Sequence, residues 1–161
     1  MCVIDWAEVR QWLQALAVPS VALLAAWIAY RQWRTNALKI KLDLYDRRLR
    51  IFEELREFLS KIARDGAIDM RDASIFRSRT MDATFLFGQD VDDYLDRVFR
   101  SALDLGLYNT RHRAHLEGSG DPNYDHADNV EKMGAALTWL TEQFEPARDL
   151  FGRYLRIIDV D

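Results

Sequence analysis

Four carboxylates crowd into the stretch Asp90, Asp92, Asp93 and Asp96, which is the kind of cluster a hard cation takes. The Gly88-Gln89-Asp90 break just ahead of them marks a helix start, and acids there complement the positive end of the helix dipole. The second reading accounts for all four. Asp121-x-Asn123-x-Asp125 copies the first half of a calcium loop, but His126 stands where the glycine belongs and Lys132 where the glutamate belongs. Loop capping explains those residues better. His112 and His115 are three apart and on a helix would share a face, so both could reach one metal. Further ligands would have to come from Asp125 or His126, and only if the loop folded back. In a last helical turn beside Arg111 and Arg113, imidazoles also suit the negative dipole end, and this is the reading adopted. Cys2 is the only thiol, which excludes an intramolecular disulfide and a thiolate-only zinc site. No H-E-x-x-H, C-x-x-C, G-x-x-x-x-G-K or G-x-S-x-G occurs. The sequence therefore nominates no catalytic residue, no metal ligand and no cofactor site, and predicts a non-enzyme.

The elements that would position these residues follow from how charge is distributed. The chain of 161 residues has a net charge of -4 and is 49% hydrophobic with 7 Gly and 3 Pro, which excludes a disordered or collagen-like chain. That average conceals a gradient. Residues 1–30 carry -1; residues 31–64 carry ten basic against five acidic groups, +5; residues 65–161 carry eleven basic against nineteen acidic groups, -8. A basic helix followed by so acidic a domain argues against nucleic acid as a partner.

Leu13–Tyr30 (LQALAVPSVALLAAWIAY) holds no charge. As a helix it runs about 27 Å, close to the hydrocarbon thickness of a bilayer. Trp12 precedes it, and Trp27, Tyr30 and Trp33 lie at its far end, where amphipathic rings favour the interface. Pro19 is tolerated in a membrane helix. A cleaved signal peptide fits poorly, because Asp5 and Glu8 precede the apolar run and no A-x-A site follows it. Arg31, Arg34, Lys39 and Lys41 crowd one flank against Arg10 alone on the other, so the positive-inside rule places the N-terminus outside and the rest in the cytoplasm. The same four cations are near enough to meet anionic lipid headgroups. The expected organisation is a short extracytoplasmic N-terminus (1–12), a transmembrane helix (13–30) and a cytosolic helical bundle (31–161). Asp5 and Glu8 form a capping box that starts the helix before the span. Ala22/Ala26 and Ala25/Ala29 would let a second helix approach closely.

Nothing stops the helix between Arg31 and Arg64, and Leu38, Leu42, Tyr45, Leu49 and Phe52 form a heptad seam that Leu55, Leu59 and Ile62 resume. Ile40, Leu44, Ile51 and Phe58 add a second row, too broad for a two-stranded coil alone, so the helix is expected to pack on its own chain. Arg47, Arg48 and Arg50 are expected to pair within the helix or with the acidic later helices. Gly66 is the expected terminator. A shorter helix is expected from Asp72 as cap to Phe87, another from Asp90 to about Leu116, then a loop at Gly118–Asp125. The last helix is expected to start at the box Asp128/Glu131 and run through Ile158, kinked by Pro146 rather than split. No strand is expected. The fold class is all-α: an N-terminal transmembrane helix continuous with a long cytosolic helix, packed in an antiparallel helical bundle.

Trp27–Leu59, with its QWRTN and LDLYDRR stretches, resembles the opening of a widespread group of uncharacterised small bacterial single-pass membrane proteins. The similarity continues through Ala83–Leu105 (ATFLFGQDVDDYLDRVFRSALDL) and Trp139–Ile157 (WLTEQFEPARDLFGRYLRI). It implies a bacterial inner-membrane protein with one helical unit, and it transfers no site. The expected function is a membrane-anchored, non-enzymatic helical module that binds the bilayer and either a protein partner or a second copy, with no small-molecule substrate. The alternative is an oligomeric membrane effector or channel component acting through its span, for which Gln14, Pro19 and Ser20 are the hints.

Overall fold

The computed structural model describes residues 6–156, the side chains of residues 6–20, 37 and 38 excepted. Among these residues there are six helices and no strand: α1 (Trp6–Asp65), α2 (Met70–Thr80), α3 (Ala83–Leu86), α4 (Gln89–Leu116), α5 (His126–Thr141) and α6 (Phe144–Leu155). The all-α expectation holds. By compactness the chain divides into two units, 1–43 and 44–161, with the boundary inside α1.

In the first unit, the described side chains from Val21 to Asp43 are all exposed, including Leu23 at 73% and Trp33 at 69%. Among the described residues no helix is long and apolar enough to cross a membrane. The expected span at 13–30 is only partly covered by that statement, because the side chains of residues 13–20 lie outside the described residues. Val21–Tyr30 alone gives ten uncharged positions before Arg31, against roughly 20 for a full crossing. Cys2, Asp5, Trp12 and Ile158 also lie outside the described side chains.

The second unit is built by apolar stripes that the helical period places on one face each. α1 contributes Ile51, Leu55, Phe58, Leu59 and Ile62, and α4 contributes Val91, Tyr94, Leu95, Val98, Ala102 and Leu105, all buried. Leu140, Ala147 and Phe151 close the core from α5 and α6. Cross-helix contacts fix the directions. Phe58 stacks on Phe76 at 4.2 Å while Lys61 meets Asp72 and Glu54 meets Arg79, so α1 and α2 are antiparallel. Tyr94 reaches Gln143 and Asn129 reaches Tyr108, so α4 and the α5–α6 arm are antiparallel too. Phe52 on Phe151 and Arg48 on Tyr154 give the same sense for α1 and α6.

The expected stripes along α1 need correction in their first half: Leu42 of the seam and Ile40 and Leu44 of the second row are exposed, Tyr45 and Leu49 are half-buried, and full burial begins at Ile51, where α2, α4 and α6 supply facing side chains. Gly66 ends α1 as expected. It adopts φ 63° and donates its N–H to the Ile62 carbonyl at 2.9 Å, a left-handed cap that glycine takes without Cβ strain.

Three boundaries differ from expectation. The cap of α2 is Asp69, whose carboxylate accepts from the Arg71 N–H, not Asp72, which is spent on Lys61 at 2.6 Å. The expected 72–87 helix is broken at Met81–Asp82, just after Thr80, whose hydroxyl bonds back to the Phe76 carbonyl at 2.9 Å. The cap of α5 is Asp125, which accepts the Asp128 N–H at 3.1 Å, so Asp128 is already helical and pairs with Lys132 instead.

Pro146 splits α5 from α6 rather than kinking one helix. A proline lacks the N–H for the carbonyl of Glu142 and its ring crowds that group. The chain answers with a tight turn in which Gln143 donates its N–H to Leu140. The Trp139 carbonyl left over accepts from the Gln143 side chain at 2.9 Å, and the Gln143 carbonyl takes both the Ala147 N–H and the Tyr94 hydroxyl. The exposed Glu142 is left at the surface, and the apolar phase survives from Leu140 to Phe151.

Candidate functional site

On α1 in the first unit, Trp27, Arg31, Arg34 and Lys41 recur at helical spacing and share a stripe, with Tyr30, Trp33 and Lys39 beside it. The guanidinium of Arg31 lies 5.1 Å from the Trp27 ring centre, and Tyr30 and Trp33 stand 6.4 Å apart. All seven side chains are exposed. The stripe is a surface on which aromatic rings and cations alternate, which is the chemistry of a lipid headgroup boundary.

The four aspartates do not converge. Asp90 accepts the Tyr154 hydroxyl at 2.7 Å, Asp92 accepts the Thr84 hydroxyl at 3.0 Å, Asp93 accepts the Gln89 amide at 2.9 Å and Asp96 pairs with Arg100 at 2.8 Å. Each carboxylate has its own partner, and those in the first turn face the N-terminal dipole of α4. Asp121 closes a local turn by accepting the Asn123 N–H at 2.8 Å, and Asp125 is spent on capping α5.

The loop after α4 does fold back. Gly120 packs so close to the end of α4 that a Cβ there would lie 3.1 Å from the His115 Cα. The fold-back brings His126 to 5.3 Å from His112 and 5.4 Å from His115 between ring centres, with Tyr124 stacked obliquely on His115 at 4.6 Å. The His126 ring is inclined by 27° to His112 and by 30° to His115. Among the described residues no group of three His, Cys, Asp or Glu could hold a metal ion. This aromatic stack pins the loop to the α4 terminus.

Arg48 is the residue that sequence reasoning undervalued. Its Nε donates to the Leu86 carbonyl at 2.8 Å and its Nη1 to the Tyr154 carbonyl at 3.2 Å, while the guanidinium lies over the Phe87 and Tyr154 rings. It thus ties α1 to the ends of α3 and α6 through carbonyls, not through the acidic side chains expected as partners. No pattern in the sequence marks a backbone carbonyl as an arginine's partner. Arg47 and Arg50, its neighbours, remain exposed at the surface of the bundle.

No family model, curated protein or solved structure matches the chain.

Proposed function

We propose that this protein is a non-enzymatic helical module, held at the bacterial inner membrane through its first unit, that presents its second unit in the cytoplasm to a protein partner or to another copy. The observation that carries the reading is the exposed apolar segment from Val21 to Ile28, which gives way to the exposed Trp27–Tyr30–Trp33 rings and then to Arg31, Arg34, Lys39 and Lys41. Contiguous apolar surface of that kind marks an interaction with lipid or protein, and the cations that follow favour the cytoplasmic headgroup layer. The uncharged stretch 13–20 extends the same segment to a length that spans the hydrocarbon. The resemblance of three sequence blocks to small bacterial single-pass proteins supports the same placement.

Cys2, the sole thiol, allows a direct test. In intact bacteria a membrane-impermeant maleimide is expected to label Cys2, and the protein is expected to stay in the pellet after carbonate extraction. Extraction into the supernatant would sink the anchor, and labelling only after permeabilisation would sink the orientation. Crosslinking in native membranes is expected to yield an adduct with a protein partner or a second copy. Recovery of monomer alone at endogenous level would remove the partner.

A further inference from the structure

Where α1, α2 and α3 meet, the second unit holds an open cleft of about 660 Å³. Arg47 and Arg50, one turn apart on α1, line it together with Arg79 at the end of α2 and one carboxylate, Asp82. Among the described residues, neither Arg47 nor Arg50 forms an ion pair, whereas Arg79 is held from one side by Glu54 at 3.0 Å. A guanidinium has five N–H groups, so Arg79 keeps donors for a second acceptor. The cleft residues thus carry three positive charges against one negative.

The rest of the lining is apolar: Ile51 and Leu86, and the ring of Phe85. Phe85 is 86% exposed, while the other seven phenylalanines of the chain are at least partly buried. The short helix α3 dictates this. Ala83 is fully buried, and Leu86 packs on the core with its carbonyl gripped by Arg48, so of the two residues between them, Thr84 and Phe85, both are turned outward and Phe85 lines the cleft. A phenyl ring left in water beside unpaired guanidiniums is a surface prepared for something both anionic and apolar.

We propose that this cleft binds an organic phosphate, with the anionic group held by Arg47, Arg50 and Arg79 and the apolar body resting on Ile51, Leu86 and the Phe85 ring. Planar guanidiniums match phosphate oxygens in paired hydrogen bonds, and a group of three suits a dianion better than a carboxylate. The volume falls within the range of small-molecule sites. Asp82 at the rim lowers affinity and selects against ligands with too little charge. The chemistry is the same for a free phosphate ester and for a phosphomonoester lipid headgroup, and it does not depend on how the protein is anchored.

The test uses the full chain in zwitterionic detergent micelles and follows the arginine Nε–H resonances of Arg47, Arg50 and Arg79. Phenyl phosphate is expected to shift them saturably and to bind several-fold more tightly than inorganic phosphate. R47Q/R50Q, at exposed positions, is expected to weaken phenyl phosphate by at least about tenfold with unchanged helicity. D82N is expected to tighten it, and F85S to remove the advantage over inorganic phosphate. In a second arm, phosphatidic acid is doped into the micelles. Shifts seen only there, and lost in R47Q/R50Q, would uphold the site and make the lipid headgroup its ligand. The proposal is overturned if neither probe shifts the resonances at millimolar concentration. It is equally overturned if binding survives R47Q/R50Q, or if F85S leaves the preference for phenyl phosphate intact.

Discussion

Tyr94 shows how one side chain can tie the bundle together and give it a pH dependence. Its ring is buried in the core and its hydroxyl donates to the Gln143 carbonyl at 3.0 Å, at the turn that Pro146 imposes. Burial pushes the phenol up to about 12, opposed in part by the nearby Arg97 cation. In the unfolded chain the same phenol ionises near its ordinary value of about 10. Between those two values the unfolded chain has lost a proton that the folded chain keeps, so stability falls as pH rises. It is fully present below pH 10 and lost on passing through pH 12, a change on the order of 2 kcal/mol. Tyr154, raised by its hydrogen bond to the Asp90 carboxylate, acts in the same direction. Y94F is therefore expected to cost about 1 kcal/mol at pH 8, because the Gln143 carbonyl keeps the Ala147 N–H as a donor. It is also expected to remove most of the alkaline loss and leave a residual slope from Tyr154. Denaturant midpoints of both proteins from pH 8 to 11.5 check this. A wild-type curve that stays flat across that range, or a Y94F curve with an undiminished slope, would contradict the assignment.

At the scale of the element, the junction between α3 and α4 leaves no room for a side chain at Gly88. Gly88 caps α4 in an extended conformation, and a Cβ on it would sit 2.5 Å from the Tyr154 hydroxyl and 2.8 Å from an Asp90 carboxylate oxygen. Both atoms belong to the bond that holds the end of α6 to the start of α4. G88A must push Tyr154 away, losing that bond and disturbing its edge contact with Phe87, so a loss on the order of 1–2 kcal/mol is expected. Gly134, on the exposed side of α5, has nothing within 4 Å of a built Cβ, and G134A is expected to stabilise by about 0.5–1 kcal/mol. Thermal melts of the two variants should move in opposite directions, and a G88A melt unchanged or raised would show that the Tyr154 contact does not constrain position 88. The contrast also measures what a sequence discloses about elements. The α4 stripe from Val91 to Leu105 was legible because one period of apolar residues specifies one buried face, and Gly66 was legible because a glycine after a periodic run marks a left-handed cap. Cap identity was not legible at α2 or α5, since Asp69 and Asp72, and Asp125 and Asp128, are chemically alike and only tertiary demands choose between them. The break at Met81–Asp82 carries no glycine or proline. Of the candidate sites, the position of the aspartates at the start of α4 was legible from the Gly88 break, while their separate partners Tyr154, Thr84, Gln89 and Arg100 were not. The meeting of His126 with His112 and His115 depended on a loop path that spacing does not encode. The Arg47–Arg50–Arg79 cleft depended on α3 turning Phe85 outward, which no periodicity over four residues can announce.

At the scale of the whole molecule, charge rather than shape distinguishes the parts. The +5 of residues 31–64 and the -8 of residues 65–161 have different consequences. Much of the acidic excess is used locally, in caps and single pairs such as Asp72–Lys61 and Asp96–Arg100. The cations nearest the apolar segment are not used in that way: Arg31 rests on Trp27, and among the described residues Arg31, Arg34, Lys39 and Lys41 meet no carboxylate. Under the proposed anchoring, these four are what orients the chain, because topology responds to Lys and Arg within about 15–20 residues of a span and hardly at all to Asp and Glu. Exchanging all four for glutamine while placing lysine at Asp5 and Glu8 abolishes the bias, leaving three cations on the N-terminal flank against only the distant Arg47, Arg48 and Arg50 on the other, without touching the second unit's core. The expected result is that a substantial fraction of the molecules insert with the N-terminus inside, so that Cys2 loses its reactivity toward an impermeant maleimide in intact cells and regains it on permeabilisation. Circular dichroism of the purified variant should show undiminished helicity, since the four replaced cations are exposed on α1. If Cys2 stays fully reactive from outside, the stripe does not set the orientation. The folding of residues 44–161 in the cytoplasm before insertion would then be what holds the chain in place, and the basic stripe would be left with headgroup contact as its role.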